Sequence, residues 1–298
     1  IAIMGICNKI AGALGSVIFG ALLLSGIDET KEKLKAASLD EKELLLNSMA
    51  DSVVMPYIVM ALVLFLLAVL IRKAPLPKVE ANEEGLEVKN QTAKTNIFQF
   101  PNLWFGVFSL FVYVGAEVIA GDTIIAYGIS LGFTGAEAKF FTLYTLFAMV
   151  VTYALGVFLI PKYISQKTAL VVSAILGVVF SCCILITTGF TSVLFVAALG
   201  IANALVWPAV WPLTLAGLGK FTQTASALLI MAIAGGAIIP PLYGRMVDAY
   251  KNEYIGNQMN ETVALAKASA ESYWILIPCY VFILFFAIWG HKFKRWSS

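Results

Sequence analysis

The chain has 298 residues, of which 60% are hydrophobic and only 13% charged, with a net charge of +2 and a mean hydropathy of +0.88. That balance excludes an ordinary soluble domain. A charge so small and so evenly spread also forms no basic stripe for nucleic acid. The composition is that of an all-α polytopic membrane protein, because helices satisfy their own backbone groups in lipid.

Apolar runs long enough to cross a hydrocarbon core of about 30 Å recur along the whole chain. Eight spans are expected, at 1–26, 53–72, 100–127, 138–160, 168–188, 191–216, 224–243 and 272–290. The run VVMPYIVMALVLFLLAVLI (53–71) shows no polar residue at helical spacing. The first span opens apolar, with neither an initiator Met nor the basic flank of a signal peptide. The expectation is an N-terminally truncated fragment with eight of twelve helices.

Between spans one and two, DETKEKLKAASLDEKELL (28–45) reads as a solvated helical cap. Between spans two and three, RKAPLPKVEANEEGLEVKNQTAKTN (72–96) is polar and Pro-flanked, a flexible linker. The domain expectation is therefore 1–72 as the last two helices of an N-terminal bundle, 73–97 as a cytoplasmic linker, and 98–298 as a complete six-helix C-terminal bundle. The short connections PKYISQK and GLGKFTQ and the tail HKFKRWSS carry Lys and Arg without acid. The positive-inside rule puts them, and the C-terminus, on the cytoplasmic side of an inner (plasma) membrane, with 27–52 and 244–271 as external loops.

The third span carries two acids, Glu117 and Asp122, in YVGAEVIAGDT (113–123). Counting from Leu103, Glu117 lies about 21 Å along its helix, well inside the bilayer, and Asp122 nearer the external surface. At α-helical pitch a spacing of five turns them about 140° apart. Glu117 then shares a face with Tyr113, Gly121 and Ile124, expected to line a central cavity where a carboxylate accepts sugar hydroxyls. The alternative is a structural bond from Glu117 to a neighbouring helix. Asp122 is expected to cap or gate the outer end, against a plain solvated acid. Intramembrane acids are functional by default because their insertion is costly.

In the sixth span, ANALVWPAVWP places Asn203, Trp207 and Trp211 at i, i+4 and i+8, with Pro208 and Pro212 following the tryptophans. An amide beside two indoles suits the hydroxyl rim and apolar ring faces of a sugar; Pro-kinked packing with interfacial Trp explains the pattern equally. The seventh span holds Gly235-Gly236 and Pro240-Pro241. Small residues allow close helix approach and prolines loosen the ladder, as a rocking interface needs.

Enzyme chemistry finds little footing. The single histidine, His291, excludes HExxH and any histidine metal cluster, no GxSxG occurs, and Cys7, Cys182, Cys183 and Cys279 lie in apolar segments without ligand spacing. No metal and no cofactor are expected.

Two spans, a polar linker and six spans resemble the major facilitator superfamily, two six-helix halves with substrate between them. YVGAE (113–117), GLG before Lys-Phe-Thr-Gln (217–223) and above all S-x-LLIMAIAGGAIIPPLYG (226–244) resemble the fucose–galactose–glucose:proton symporter family, nearest its glucose/galactose branch. NKIAGALGSVIFGALLL (8–24) resembles that family's fifth helix. The resemblance implies proton-driven import of a monosaccharide by alternating access, with sugar and proton as partners, the proton gradient as driving force and a monomer in the bilayer.

By the same resemblance Asn8 matches a fifth-helix asparagine facing the sugar, and Glu117 a seventh-helix position that is polar in relatives. The family's proton-coupling carboxylates lie in its first and fourth helices, which this chain lacks. Lys9, beside Asn8, is expected to snorkel to the interface or to meet an acid from those helices. The substrate-facing set is thus Asn8, Tyr113, Glu117, Asn203, Trp207 and Trp211, and the gating or coupling set Lys9, Asp122, Gly235 and Gly236.

Epimers differ by the direction of one hydroxyl, so nothing in the sequence selects among glucose, galactose, fucose and N-acetylglucosamine. A membrane sugar sensor with the same fold is the alternative from another class, although the seven residues after His291 offer no signalling extension. A channel would carry pore-lining charges in several spans.

Overall fold

The computed structural model describes residues 2–23, 38–73, 96–160 and 162–293. No strand occurs among the described residues, and seven helices are long and apolar enough to cross a membrane. The polar linker 74–95, residues 28–37 of the charged segment and the last five residues of the tail lie outside the described residues.

The chain forms two compact units, 1–18 with 93–298, and 19–92. The described part of the second unit is the end of α1 (Ala2–Leu23) and the 35-residue helix α2 (Leu39–Lys73). At 1.5 Å per residue α2 is about 52 Å long. It starts well before the expected span, with Glu41 of its first turn reaching back to Ser38: the Ser38 amide and hydroxyl both donate to Glu41 Oε2, at 2.9 and 3.0 Å. Residues 39–45 are thus the first turns of the span's own helix rather than a separate cap. Arg72 and Lys73 close its last turn, where cations oppose the helix dipole.

The first unit holds six candidate crossings: Pro101–Ser130, Gly135–Leu159, Gln166–Ile186, Gly189–Leu215, Gly219–Gly256 and Glu261–Lys292. Within them we label α3 (Pro101–Val118), α4 (Ile124–Ser130), α5 (Gly135–Ala138), α6 (Phe141–Leu159), α7 (Gln166–Ile186), α8 (Gly189–Ala204), α9 (Val206–Leu215), α10 (Thr222–Met231), α11 (Gly235–Gly256), α12 (Glu261–Ser272) and α13 (Leu276–Ile288). Pro101 starts α3, where its missing N–H is no loss. Thr134 caps α5 in a full capping box with Glu137, and Ser165 caps α7.

The core is organised by α3, which packs against α11, α9 and α13, while α8 lies against α6 and α7, and α13 against α7. The contacts are close because glycines face neighbours. A Cβ on Gly235 would lie 1.9 Å from the Phe111 carbonyl oxygen, one on Gly115 2.4 Å from Ile239, and one on Gly236 about 3 Å from Val114 and Val118. Gly235-Gly236 therefore set the α3–α11 crossing by direct backbone approach.

The expected external loop 244–271 is not a loop. α11 runs on to Gly256, a short turn follows, and α12 starts at Glu261 with the Asn260 side chain capping the Thr262 amide at 2.9 Å. The polar residues that suggested a loop tie the helices together: Lys251 pairs with Glu261 at 2.7 Å, the Tyr254 hydroxyl donates to Glu271, and Trp274 Nε1 donates to the Tyr250 hydroxyl at 3.0 Å. Charge here marks an exposed helix surface rather than an irregular chain.

Candidate functional site

The third span does not stay α-helical. Residues Ile119–Thr123 form a π-turn between α3 and α4. Such turns carry one extra residue and leave carbonyls misaligned with their α-helical partners. Here the carbonyls are taken up by threonines: Thr123 Oγ1 donates to Ile119 O at 2.7 Å, Thr145 Oγ1 to Ala120 O at 3.2 Å, and Thr142 Oγ1 to Gly121 O at 2.8 Å. The turn is held from its own helix and from α6.

The π-turn begins two residues after Glu117 and contains Asp122, so the 140° expected from α-helical pitch does not apply. An i→i+5 turn draws residues five apart towards one side. Asp122 accordingly lies within the electrostatic reach of both Glu117 and Lys9.

Lys9 corrects a second expectation. It neither snorkels nor waits for an acid from outside the chain: its ammonium forms an ion pair with Glu117 Oε1, and the two side chains are 14% and 18% exposed. A lysine and a carboxylate that share a desolvated place neutralise each other. Asp122 is exposed and has no hydrogen bond or ion pair among the described residues.

Aromatic hydroxyls surround the pair. Tyr113, 1% exposed, and Tyr153 of α6, 4% exposed, both feel the Glu117 charge and stand close to each other. Tyr153 packs against α1, where a Cβ on Gly5 would lie 2.7 Å from its ring. That contact brings α1 close enough for Lys9 to reach Glu117. On the other side, Tyr280 of α13 is fully buried, donates to Asn203 Oδ1 at 2.9 Å, and also lies within reach of Glu117. Gly177 makes room for the Tyr280 ring, since a Cβ there would lie 2.2 Å from it.

Asn203 is fully buried, and its Nδ2 has no hydrogen-bond partner among the described residues. A buried donor left empty is costly, so such groups commonly await a ligand or water. The tryptophans do not share its surroundings. The helix breaks at Leu205, between α8 and α9, where Pro208 offers no N–H to the carbonyl of Ala204. Trp207 and Trp211 stack on each other at 5.6 Å, half-buried against the main core.

Asn8 is exposed on α1, one residue from Lys9. The structure thus joins Lys9, Glu117, Tyr113 and Asp122 in one neighbourhood, links Asn203 to it through Tyr280, and places Gly235 and Gly236 at a helix crossing. Sequence reasoning did not single out Tyr153, Tyr280, Thr142 or Thr145. Their only sequence signal is polar atoms inside apolar spans.

Beyond the π-turn the hydroxyl network continues. The Tyr273 hydroxyl lies 2.9 Å from Thr123 Oγ1, and the Tyr127 hydroxyl 2.6 Å from Ser192 Oγ. Tyr243 donates to the Ser269 carbonyl at 3.1 Å, and its ring packs on Tyr273, which in turn packs edge-on against Tyr127.

No family model matches the chain. The putative glucose/galactose transporter of Helicobacter pylori (strain J99) is 28% identical over 288 residues, which cover 96% of this chain and 64% of that protein. The glucose/galactose transporter of Brucella abortus is 28% identical over 284 residues, 94% of this chain and 61% of that protein. The L-fucose-proton symporter of Haemophilus influenzae is 27% identical over 254 residues, 81% of this chain and 52% of that protein. Among solved structures, the major facilitator superfamily transporter FucP in the outward conformation matches 98% of this chain and 69% of its own, with a TM-score of 0.59 at 19% identity.

Over most of its length the chain is similar to glucose/galactose transporters and L-fucose-proton symporters, and its fold is that of the major facilitator superfamily. It is a multi-pass membrane protein with that superfamily's fold. It spans less than two thirds of the length of the glucose/galactose transporters that it matches. The Lys9–Glu117 pair is a feature of this chain that the motifs do not foretell, because the partners are 108 positions apart.

Proposed function

We propose that this chain is part of a proton-coupled secondary transporter that imports a glucose- or galactose-like monosaccharide by alternating access. The observation that carries the reading is the ion-paired Glu117, set among Tyr113, Tyr153, Tyr280 and Asn203 inside an otherwise apolar bundle. The similarity to glucose/galactose transporters supports the substrate class.

A sugar supplies donors and acceptors around its rim. Glu117 accepts two neighbouring hydroxyls, the vacant Asn203 Nδ2 donates to a third oxygen, and the phenols of Tyr113 and Tyr153 complete the polar wall. For Glu117 to bind sugar, Lys9 must loosen its hold, so sugar and ammonium compete for one carboxylate. Asn8, on the same helix as Lys9, faces the sugar from the other wall. Trp207 and Trp211 offer apolar faces further along the sixth span, and the Gly235-Gly236 crossing lets α3 and α11 slide as access alternates.

In this reading α1 and α2 close an N-terminal bundle, 73–97 is the cytoplasmic linker, and 98–298 is the C-terminal bundle. The protein works as a monomer in the inner membrane, with its C-terminus in the cytoplasm and no cofactor but the proton gradient. The fucose symporters among the relatives favour fucose as the second candidate.

The test is uptake of labelled glucose by cells expressing the protein, with and without an uncoupler, using galactose, fucose and N-acetylglucosamine as competitors. Uptake that collapses with the proton gradient supports the reading, and the strongest competitor names the sugar. Confirmed membrane insertion without uptake or competition refutes it and leaves a sensor as the better account.

A further inference from the structure

One cation serves two carboxylates in the third span. Lys9 pairs with Glu117, while Asp122, five residues further along the span, is close enough to feel both charges but has no ion pair among the described residues. The trio carries a net charge of −1 when all three are ionised. A low-dielectric setting tolerates a neutral group of charges far better than an unbalanced one. With Lys9 kept as an ammonium, one neutral composition is open to it: ammonium, one carboxylate and one carboxylic acid.

The placement of the three groups is built, not incidental. The π-turn that draws Asp122 towards Glu117 is fixed at three consecutive carbonyls by Thr123, Thr142 and Thr145. Glu117 and Lys9 are largely shielded, whereas Asp122 is the more exposed of the three. Among the described residues, the other titratable groups that face this region are phenols: Tyr113 on the same helix, Tyr153 on α6, Tyr280 on α13, and Tyr273 and Tyr243, which meet Thr123 or its partner. Phenols keep their protons below about pH 10 and do not compete for this role.

We infer that Lys9, Glu117 and Asp122 form a proton-loading site in this part of the chain, with Asp122 as the carboxylate that takes the proton. The step is a simple transfer: hydronium in the external water gives its proton to an Asp122 oxygen, and water is left. Loading of Asp122 leaves the Lys9–Glu117 pair neutral. This deepens the symport reading and rests on it for the role in transport; proton binding itself is measured without sugar, so the two fail separately.

The experiment is an infrared titration of the purified protein in lipid nanodiscs, following the C=O stretch of protonated carboxyls from alkaline to acid pH. The parent spectrum minus that of Asp122→Asn should leave one titrating band. In Lys9→Gln that band should appear at a pH higher by about one unit or more, because two carboxylates then face each other without a cation. In Glu117→Gln it should appear at a pH lower by a similar amount, because Lys9 then serves Asp122 alone. Either shift decides the matter if the other variant fails to fold. An Asp122→Asn spectrum identical to the parent, or a band unmoved in the variant that folds, overturns the proposal.

Discussion

Gly235→Ala tests whether the α3–α11 crossing is set by backbone contact. The new Cβ would lie 1.9 Å from the Phe111 carbonyl oxygen, 2.7 Å from its carbon and 3.1 Å from its Cα. Ordinary C···O contact needs about 3.4 Å, so the helices must part locally by about 1.5 Å. A gap of that size forfeits most of the dispersion between the atoms facing it, including those of Ile239 against Gly115 and of Val114 and Val118 against Gly236. Overpacking of this kind costs about 3 kcal/mol, close to a 100-fold loss in the folded population. The assay is thermal unfolding in detergent, with Gly244→Ala as control, because a Cβ there meets nothing within 4 Å. The control should be neutral or slightly stabilising, as Ala replaces Gly within a helix. Gly236→Ala, which meets only side chains at about 3 Å, should fall between the two. A Gly235→Ala protein as stable as the control would refute backbone contact as the organiser of this crossing.

Three further expectations follow from the site and from α2. Glu117→Gln removes a charge-assisted acceptor, which should weaken sugar affinity by about tenfold or more in an equilibrium binding assay; affinity unchanged from the parent would take Glu117 out of the sugar site. Tyr280→Phe leaves buried Asn203 without any partner and should lower stability by about 1–3 kcal/mol by thermal unfolding, whereas no change would show that the Tyr280–Asn203 bond carries no net stability. The third concerns pH. The Ser38 amide and hydroxyl hold the Glu41 carboxyl below its usual value, so its support of the first turn of α2 is present above about pH 4.3 and is lost as pH falls through the lowered value. Amide exchange of residues 39–42 should quicken over that acid range in the parent, and Glu41→Ala should exchange fast at every pH; a parent profile flat down to the acid limit would remove the Ser38–Glu41 contact as a support of this turn.

Much of this fold is written in the sequence because lipid demands long apolar helices, and the six crossings from Pro101 to Lys292 fall where the apolar runs do. The close approach at Gly235-Gly236 was also readable, since only glycine permits it. The misreadings share a cause: local periodicity was extended past a local break. The π-turn at Ile119–Thr123 rests on Thr142 and Thr145 of another helix, so no window around Asp122 reveals it. The single face expected for Asn203, Trp207 and Trp211 is interrupted at Leu205, although Pro208 was a visible warning. The sequence places 244–271 between two apolar spans and so suggests a loop, but Asn260 as a cap and Lys267–Glu271 as an i, i+4 pair are helix signals there. Lys9 and Glu117 could be recognised singly as functional, but their pairing across 108 positions belongs to tertiary structure.

The central claim is that sugar and protons cross together. The most direct test adds glucose or galactose to a weakly buffered, de-energised suspension of cells expressing the protein and records the external pH. Symport predicts a rise in pH on sugar addition that an uncoupler abolishes and that Glu117→Gln weakens. Sugar entry with no change in external pH would contradict proton coupling.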